Sequence, residues 1–169
     1  MIMRFICLVS LLLLSACATP ISPLVRDGHQ ADYITMDKSD RILTLWENGT
    51  PLKTYEILSM GWNPIGHKVQ EGDGKTPEGQ YYINDKHPSK KFQKFLNISY
   101  PNEIDKINAM KLGVSPGGSV GIHGDRGGWQ GYKDRKNPAW TWGCVSVNNY
   151  NIEEIYALVP LGTEIFIQP

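Results

Sequence analysis

Glycine and proline divide this chain into short segments, and that division limits the folds open to it. The chain holds 17 glycines and 11 prolines in 169 residues, and the apolar runs between them are short. Both residue types weaken the interior of helices, whereas short strands joined by turns accommodate them at their ends. The sequence therefore predicts a turn-rich, mainly β structure. The length favours one domain with a sizeable core.

The first strands are expected to form a three-stranded meander. Residues 32–36 and 41–46 are rich in β-branched and aromatic side chains, and the polar residues 37–40 lie between them as a turn. Asn48-Gly49 follows, which is the strongest short-range signal for a tight hairpin. Residues 51–58 then return as the third strand.

The later segments predict more strands and two short helices. Strands are expected at residues 80–84, 92–100, 120–123 and 163–167. Asn102 can cap a helix over residues 103–112, with acidic residues in its first turn. Asn151 can cap a second helix that Pro160 ends, with Glu154 at the capping-box position.

The N-terminus has the pattern of an export signal. Arg4 precedes a short apolar run, and residues 1–16 end in Leu14-Ser15-Ala16 before Cys17. This ending resembles a bacterial lipobox, so we expect lipidation at Cys17; an ordinary signal peptide with a chance cysteine is the alternative. Ala18 differs from the aspartate typical of inner-membrane retention. The expected location is the periplasm of a Gram-negative bacterium, with a lipid anchor in the outer membrane and residues 17–31 as a tether.

Composition narrows the possible partners and cofactors. Lys plus Arg and Asp plus Glu both number 17, and no basic stripe is visible, so nucleic acid is not an expected partner. His67 and His87 lie in polar loops without a cluster of ligands, and we expect neither a metal nor another cofactor. Nothing in the sequence assigns an oligomer, and a monomer is expected.

One cysteine and one histidine, each beside a glycine, mark a candidate site. After removal of residues 1–16 and lipidation of Cys17, Cys144 is the only free thiol, which excludes a disulfide within the chain. A histidine within hydrogen-bond reach can convert a thiol into the nucleophilic thiolate, and His123 is the candidate. A buried structural cysteine and a satisfied core histidine are the alternative.

The surrounding motif resembles the signature of YkuD-type L,D-transpeptidases. His123-Gly124 is followed by Trp140-Thr141-Trp142-Gly143-Cys144, which is similar to one branch of that family. The segments Thr76-Pro77-Glu78-Gly79 and Ser99-Tyr100-Pro101-Asn102 also resemble the family pattern. The resemblance runs from about Tyr33 to the end. It implies a β-sandwich with a catalytic loop at one end, and a catalytic domain at residues 32–169. The residues themselves indicate a structural role for residues 76–79, as a rigid corner.

The resemblance implies acyl transfer through a thioester. Cys144 would be the nucleophile and His123 the base, with the backbone carbonyl of Gly124 orienting the imidazole; Asp125 is a rival for the orienting role. The N–H groups of Gly143 and Cys144 would stabilise the oxyanion.

Two departures from the commoner family pattern bear on specificity. Trp142 occupies the place of a histidine, and Ser146 that of an arginine on the substrate side of the site. We expect substrate contacts from Trp142, Thr141, Ser146, Arg126 and Trp140. Arg126, with Lys133 and Arg135, is a candidate to bind a substrate carboxylate; solvated loop charge is the alternative.

Three hypotheses follow for the function. The first is an L,D-transpeptidase that acts on peptidoglycan stem peptides. The second is a carboxypeptidase or amidase with the same fold and thiol, in which water takes the thioester. The third is an inactive wall-binding lipoprotein, which the intact residues His123, Gly143 and Cys144 disfavour.

Overall fold

The structure, a computed structural model, describes residues 21–169. The strands are β1 (Tyr33–Asp37), β2 (Ile42–Glu47), β3 (Thr50–Glu56), β4 (Gly79–Ser89), β5 (Gln93–Ile98), β6 (Gly121–His123), β7 (Val145–Ser146) and β8 (Glu164–Gln168). The helices are α1 (Pro23–Arg26), α2 (Glu103–Lys111), α3 (Gly128–Asp134) and α4 (Asn149–Leu158). The predicted export signal, lipobox and Cys17 lie outside the described residues. Within residues 21–169, no helix combines the length and apolar character that a membrane crossing requires.

All eight strands form one curled sheet in the order β3-β2-β1-β8-β4-β5-β6-β7. The pairs β1–β8 and β6–β7 are parallel, and the other pairs are antiparallel. The long strand β4 joins the two halves, because its first residues pair with β8 and the residues from Ile83 onward pair with β5. The predicted mainly β fold is confirmed, with β4 shared between the halves of the sheet.

The core lies inside the curl of the sheet. Alternate side chains of the central strands are buried, as the period of two in a strand requires. The fully buried set includes Ile34, Met36, Leu43, Leu45, Ile165 and Ile167. Ile152 and Ile155 of α4 join the same cluster, so this helix covers the core beside β5.

Local signals place the first hairpin and α2. Asn48 and Gly49 both adopt positive φ, 52° and 74°, as a two-residue hairpin turn with the correct twist demands. Asn102 caps α2 and exchanges hydrogen bonds with Asp105 in a full capping box. Both predictions are confirmed.

The predicted cap of the last helix is wrong by three residues. Asn148 is the N-cap of α4, and its side chain accepts a hydrogen bond from the Asn151 N–H at 2.8 Å. Glu154 is buried and serves other partners, accepting bonds from Lys53 Nζ at 2.6 Å and Tyr55 OH at 3.1 Å. Asn148 and Asn151 both belong to the residue types that caps favour, and the structure uses the earlier one.

Two short helices were not predicted. α1 lies in the stretch expected to be a plain tether, where Leu24 and Val25 pack against the core and Ser22 Oγ donates to Glu154. α3 lies in the glycine-rich segment between His123 and Cys144, which we expected to be loop. The domain therefore includes part of the predicted tether and a helix beside the candidate site.

Candidate active site

Strand register brings the cysteine and the histidine together. In the parallel pair β6–β7, Ile122 lies opposite Val145 and His123 lies opposite Ser146. Cys144 therefore enters β7 at the level of Gly121. Since side chains two apart share a face of a strand, Cys144, Ser146 and His123 lie on one side of the sheet.

The glycines at this site are required by close backbone approach. A Cβ on Gly121 would lie 2.4 Å from Leu96 O, and one on Gly143 would lie 2.5 Å from Lys75 O. Gly143 also has φ +131°, which side chains rarely tolerate. The predicted corner around Thr76 thus supports the turn that carries Cys144, in the structural role that we expected.

The imidazole of His123 is held in one orientation. Its Nδ1 lies 2.7 Å from the carbonyl oxygen of Gly124, which can only accept a hydrogen bond. Nδ1 therefore carries the proton, and Nε2 is left with a free lone pair. Gly124 occupies the orienting position expected from the resemblance. Asp125 does not, because its carboxylate pairs with Arg135 Nη1 at 3.0 Å.

Aromatic rings surround His123. The ring of Phe92 stacks on it with centroids 4.1 Å apart, and Phe95 and Trp140 lie 5.8 and 5.7 Å away. His123 is 1% exposed. Burial lowers its pKa to about 4, with the charges of Lys91 and Arg126 acting in the same direction against the Gly124 bond. Trp140, predicted to contact substrate, is thus part of the wall around the base.

The surroundings of Cys144 disfavour the thiolate. Cys144 is partly buried, and this burial raises its pKa, although the Gly121 N–H and the charge of Lys68 oppose the shift. The sequence left a thiolate formed with His123 and a buried cysteine as alternatives, and burial opposes a resting thiolate because it disfavours the charged form of both groups. The structure records no hydrogen bond between Cys144 and His123, and the thiol donates to Ser119 O at 3.5 Å. The two side chains thus lie on neighbouring strands, in surroundings that favour the neutral form of each.

Thr141 holds the turn around the nucleophile. Its hydroxyl donates to the carbonyl of Cys144 at 2.6 Å and accepts from the Gly143 N–H at 3.3 Å. Its own carbonyl accepts from the Trp62 N–H at 3.1 Å. Thr141 is buried, so it positions Cys144 where we had expected it to contact substrate.

Ser146 presents a buried hydroxyl in place of the arginine of the commoner pattern. The residue is fully buried, and its Oγ has no hydrogen-bond partner among the described residues. It lies in register with His123, on the face of the sheet that carries the thiol. In this conformation the burial of Ser146 excludes the direct substrate contact that we predicted.

The predicted carboxylate-binding arginines are engaged within the protein. Arg126 forms two hydrogen bonds of 2.5 Å to Asp134 and stacks over the ring of Trp140 at 4.5 Å. Arg135 pairs with Asp125. These pairs fasten α3 beside the site, so the arginines act as structural links, which the sequence could not show without α3.

Trp142 lies outside the core, as predicted. It is 71% exposed and meets the edge of Trp62 at a centroid distance of 6.4 Å. The ring also borders a cavity of about 290 Å³. The residues that line this cavity are Lys68, Glu71, Gly72, Gly117, Gly118 and Trp142. Sequence reasoning missed Lys68 and Glu71, because they lie in a loop that carried only turn signals.

Comparisons with known proteins agree with this geometry. The family model of the YkuD L,D-transpeptidase catalytic domain matches residues 31–167. YafK of Escherichia coli (strain K12), whose name assigns it provisionally to the L,D-transpeptidases, is 29% identical over 163 residues. The match covers 92% of this chain and 58% of YafK, so the chain spans little more than half of that relative.

Solved structures share the fold at low identity. The cell shape determining protein Pgp2 from Campylobacter jejuni aligns with a TM-score of 0.61 at 24% identity, covering 83% of this chain and 48% of Pgp2. Bd1075 from Bdellovibrio bacteriovorus gives 0.57 at 23% identity over 84% of this chain and 49% of its own. The Enterococcus faecium L,D-transpeptidase gives 0.53 at 15% identity, covering 83% and 50%. Matched by the family model along nearly all of its described length, the chain belongs to the YkuD family of L,D-transpeptidase catalytic domains.

Proposed function

We propose that the chain is a cysteine acyltransferase that acts on peptidoglycan stem peptides. The observation that carries the proposal is the His123 ring, whose Nδ1 is committed to Gly124 O and whose free Nε2 is presented on the same face of the sheet as Cys144. Family membership supports the substrate class.

The first half of the reaction forms a thioester. Since both groups are neutral at rest, His123 Nε2 takes the thiol proton as Cys144 Sγ attacks the donor carbonyl. The oxyanion is stabilised by the N–H groups of Gly143 and Cys144. The C–N bond of the donor then breaks, and the imidazolium returns its proton to the leaving amine.

The second half releases the acyl group. An acceptor amine attacks the thioester, His123 takes the amine proton, and the C–S bond breaks to give a new amide and a thiolate, which regains the proton. Water in place of the amine gives a carboxylic acid and makes the enzyme a hydrolase. The hydrolase is the competing outcome, because both reactions share the acylation step.

Product analysis separates the two outcomes. Incubation of the purified chain with disaccharide-tetrapeptide should yield cross-linked dimers if an amine takes the thioester, and tripeptides alone if water does. Cys144→Ser should abolish both products. Unchanged substrate with the wild-type chain would contradict the enzyme and favour the wall-binding alternative.

We also propose that the mature chain is anchored by lipid at Cys17 and faces the periplasm. The support is the lipobox-like ending before Cys17. An anchor at the outer membrane would hold the domain against the peptidoglycan. The description of Pgp2 as a helical cell shape determining protein supports a role in cell-wall organisation for this chain too.

A further inference from the structure

The cavity beside the thiol contains one carboxylate that no described cation neutralises. Glu71 is exposed at the cavity wall, and its Oε2 accepts a hydrogen bond from Ser115 Oγ at 3.3 Å. Among residues 21–169 it forms no ion pair. Its backbone N–H donates to Ser115 O at 2.7 Å, so the residue is fixed at its main chain while its carboxylate stays open to solvent.

The other charged group of the cavity is already compensated. Lys68 Nζ lies 2.8 Å from Asp73 Oδ1 and 3.1 Å from Gln70 O, and both charged side chains are less than one tenth exposed. Asp73 is further held by the backbone N–H groups of Val69, Gln70 and Lys75. The Lys68–Asp73 pair thus contributes no net charge, and Glu71 makes the lining negative.

The other residues that line the cavity suit a cation at the end of an unbranched aliphatic group. Trp142 presents an exposed ring to the same cavity, and an indole ring attracts ammonium groups. Gly72, Gly117 and Gly118 keep the rest of the lining free of side chains. A Cβ on Gly117, which has φ +75°, would lie 3.2 Å from the Glu71 side chain. One carboxylate supplies too few oxygen ligands for a divalent metal ion, whereas an ammonium group suits a carboxylate and a ring.

We propose that this cavity binds a primary ammonium group on an aliphatic chain, with Glu71 as the residue that selects the charge and Trp142 as the ring that covers it. The site lies near Cys144, because the thiol donates to the carbonyl of Ser119, which follows the lining residue Gly118. It deepens the proposed function, on which its biological role rests, since peptidoglycan peptides that carry a diamino residue contain such a group.

Binding of a simple probe tests the proposal without the acyl chemistry. The full chain is titrated with Nα-acetyl-lysine amide and with the uncharged Nα-acetyl-norleucine amide, following tryptophan fluorescence and calorimetric heat. The lysine probe should bind more tightly than the norleucine probe, and Glu71→Gln should weaken only the lysine probe, about three- to fivefold at low ionic strength. Trp142→Leu should weaken it to a similar extent.

A matched variant controls for overall charge. Glu103→Gln removes an exposed carboxylate on α2 that pairs with Lys106, and it should leave the Kd of the lysine probe unchanged. Equal affinity of the wild-type chain for the two probes, or an unchanged Kd of the lysine probe in Glu71→Gln, would overturn the proposal. Weakening by Glu103→Gln as large as by Glu71→Gln would also overturn it, since the effect would then be general electrostatics.

Two kinetic arms identify which substrate carries the ammonium group. If the donor carries it, Glu71→Gln should slow acylation of Cys144 by a donor with a free side-chain amine and not by the same donor acetylated there. If the acceptor carries it, acylation should be unchanged and transfer to a diamine acceptor should fall. Either result supports the site, and rates that Glu71→Gln leaves unchanged in both arms contradict it. Absence of any acylation would contradict the proposed function and leave the binding result standing.

Discussion

His123 is the base of the proposed reaction, and its burial favours the neutral imidazole. The ring is enclosed by Phe92, Phe95 and Trp140, and its pKa is lowered to about 4. A base with so low a pKa is neutral throughout the physiological range, so the enzyme needs no deprotonation step to prepare it. In the proposed reaction the thiol proton therefore moves during attack, when the developing charges are on the imidazolium and the oxyanion.

The buried histidine should make folding stability depend on pH. An unfolded histidine titrates near 6.5, so between about pH 6.5 and 4 the unfolded chain binds a proton that the native state refuses. Stability should rise with pH across this window and reach its full value above it, a change of about 3 kcal/mol for this residue. The measurement is the free energy of unfolding in urea at a series of pH values.

His123→Gln provides the control for that titration. Carboxylates with lowered pKa, such as Asp73 and Glu154, contribute in the same direction at lower pH in both proteins. The difference between the wild-type chain and the variant isolates the histidine. Parallel curves from pH 6.5 to 4 would contradict the assigned burial.

Alkylation should report the protonated thiol of Cys144. The variant carries Cys7→Ala and Cys17→Ala, so that Cys144 is its only thiol. When it is folded, its rate of alkylation by iodoacetamide should be low at pH 7. The rate should increase about tenfold per pH unit and continue to do so above pH 8.5, which is about the ordinary pKa of cysteine. The same chain in urea should titrate at the ordinary value. A folded chain that reacts faster than the unfolded one at pH 7 would show a resting thiolate and contradict the structure.

At the scale of elements, α3 is the part that sequence reasoning could not supply. Gly127, Gly128 and Gly131 disfavour a helix locally, yet the pairs Arg126–Asp134 and Arg135–Asp125 fasten it. The two arginines were predicted to bind substrate because their partners became visible only once the segment folded back on itself.

Breaking the Arg126–Asp134 pair should loosen α3. Asp134 is almost fully buried, so Arg126→Gln leaves its carboxylate without a partner. This should lower the free energy of unfolding by about 1–2 kcal/mol. The loss is smaller than for a fully buried pair, because Arg126 is partly exposed. Hydrogen exchange across residues 128–134 should accelerate. Arg126→Gln combined with Asp134→Asn should recover part of the loss.

Arg26→Gln is the matched control for that experiment. Its pair with Asp27 is exposed on both sides, and exposed pairs contribute little. Equal destabilisation by Arg26→Gln and Arg126→Gln would show that the α3 pair has no special role.

Other elements followed directly from local signals. The Asn48-Gly49 turn and the Asn102 cap were predictable because each depends on the conformation of two or three neighbouring residues. The cap of α4 was not, because Asn148 and Asn151 are the same residue type and local preference does not choose between them. The orienting role of the Gly124 carbonyl was predictable only from the family resemblance, because a backbone acceptor has no sequence signal of its own.

At the scale of the whole molecule, the two halves of the sheet meet at the site. β4 joins them, and the loop between β3 and β4 reaches across to the nucleophile, where Gly61 bridges to Thr141 and Lys75 O approaches Gly143. The buried Lys38 fastens this loop to the end of β1 through Glu78 and the carbonyl oxygens of Gly66 and Thr76. The site is therefore positioned by contacts from both halves.

The N-terminal segment is fastened to the domain at α4. Ser22 donates to Glu154, and Ala31 N donates to Leu158 O at 2.8 Å. A lipid at Cys17 would then place the domain only a few residues from the membrane.

Cys17→Ala should move the chain from the membrane fraction to the soluble periplasmic fraction, or block its processing. Unchanged fractionation with an unchanged mature N-terminus would contradict the anchor.

In the proposed reaction Cys144 carries the acyl group and His123 is its base. Intact-protein mass spectrometry can detect this acyl group directly. The chain is incubated with disaccharide-tetrapeptide, quenched in acid within the first turnover, and digested to locate the adduct. We expect the mass of the donor without its terminal amino acid on Cys144, no adduct in Cys144→Ser, and a much slower one in His123→Ala. Products that form without an adduct on Cys144, or an adduct that forms equally fast in His123→Ala, would contradict it.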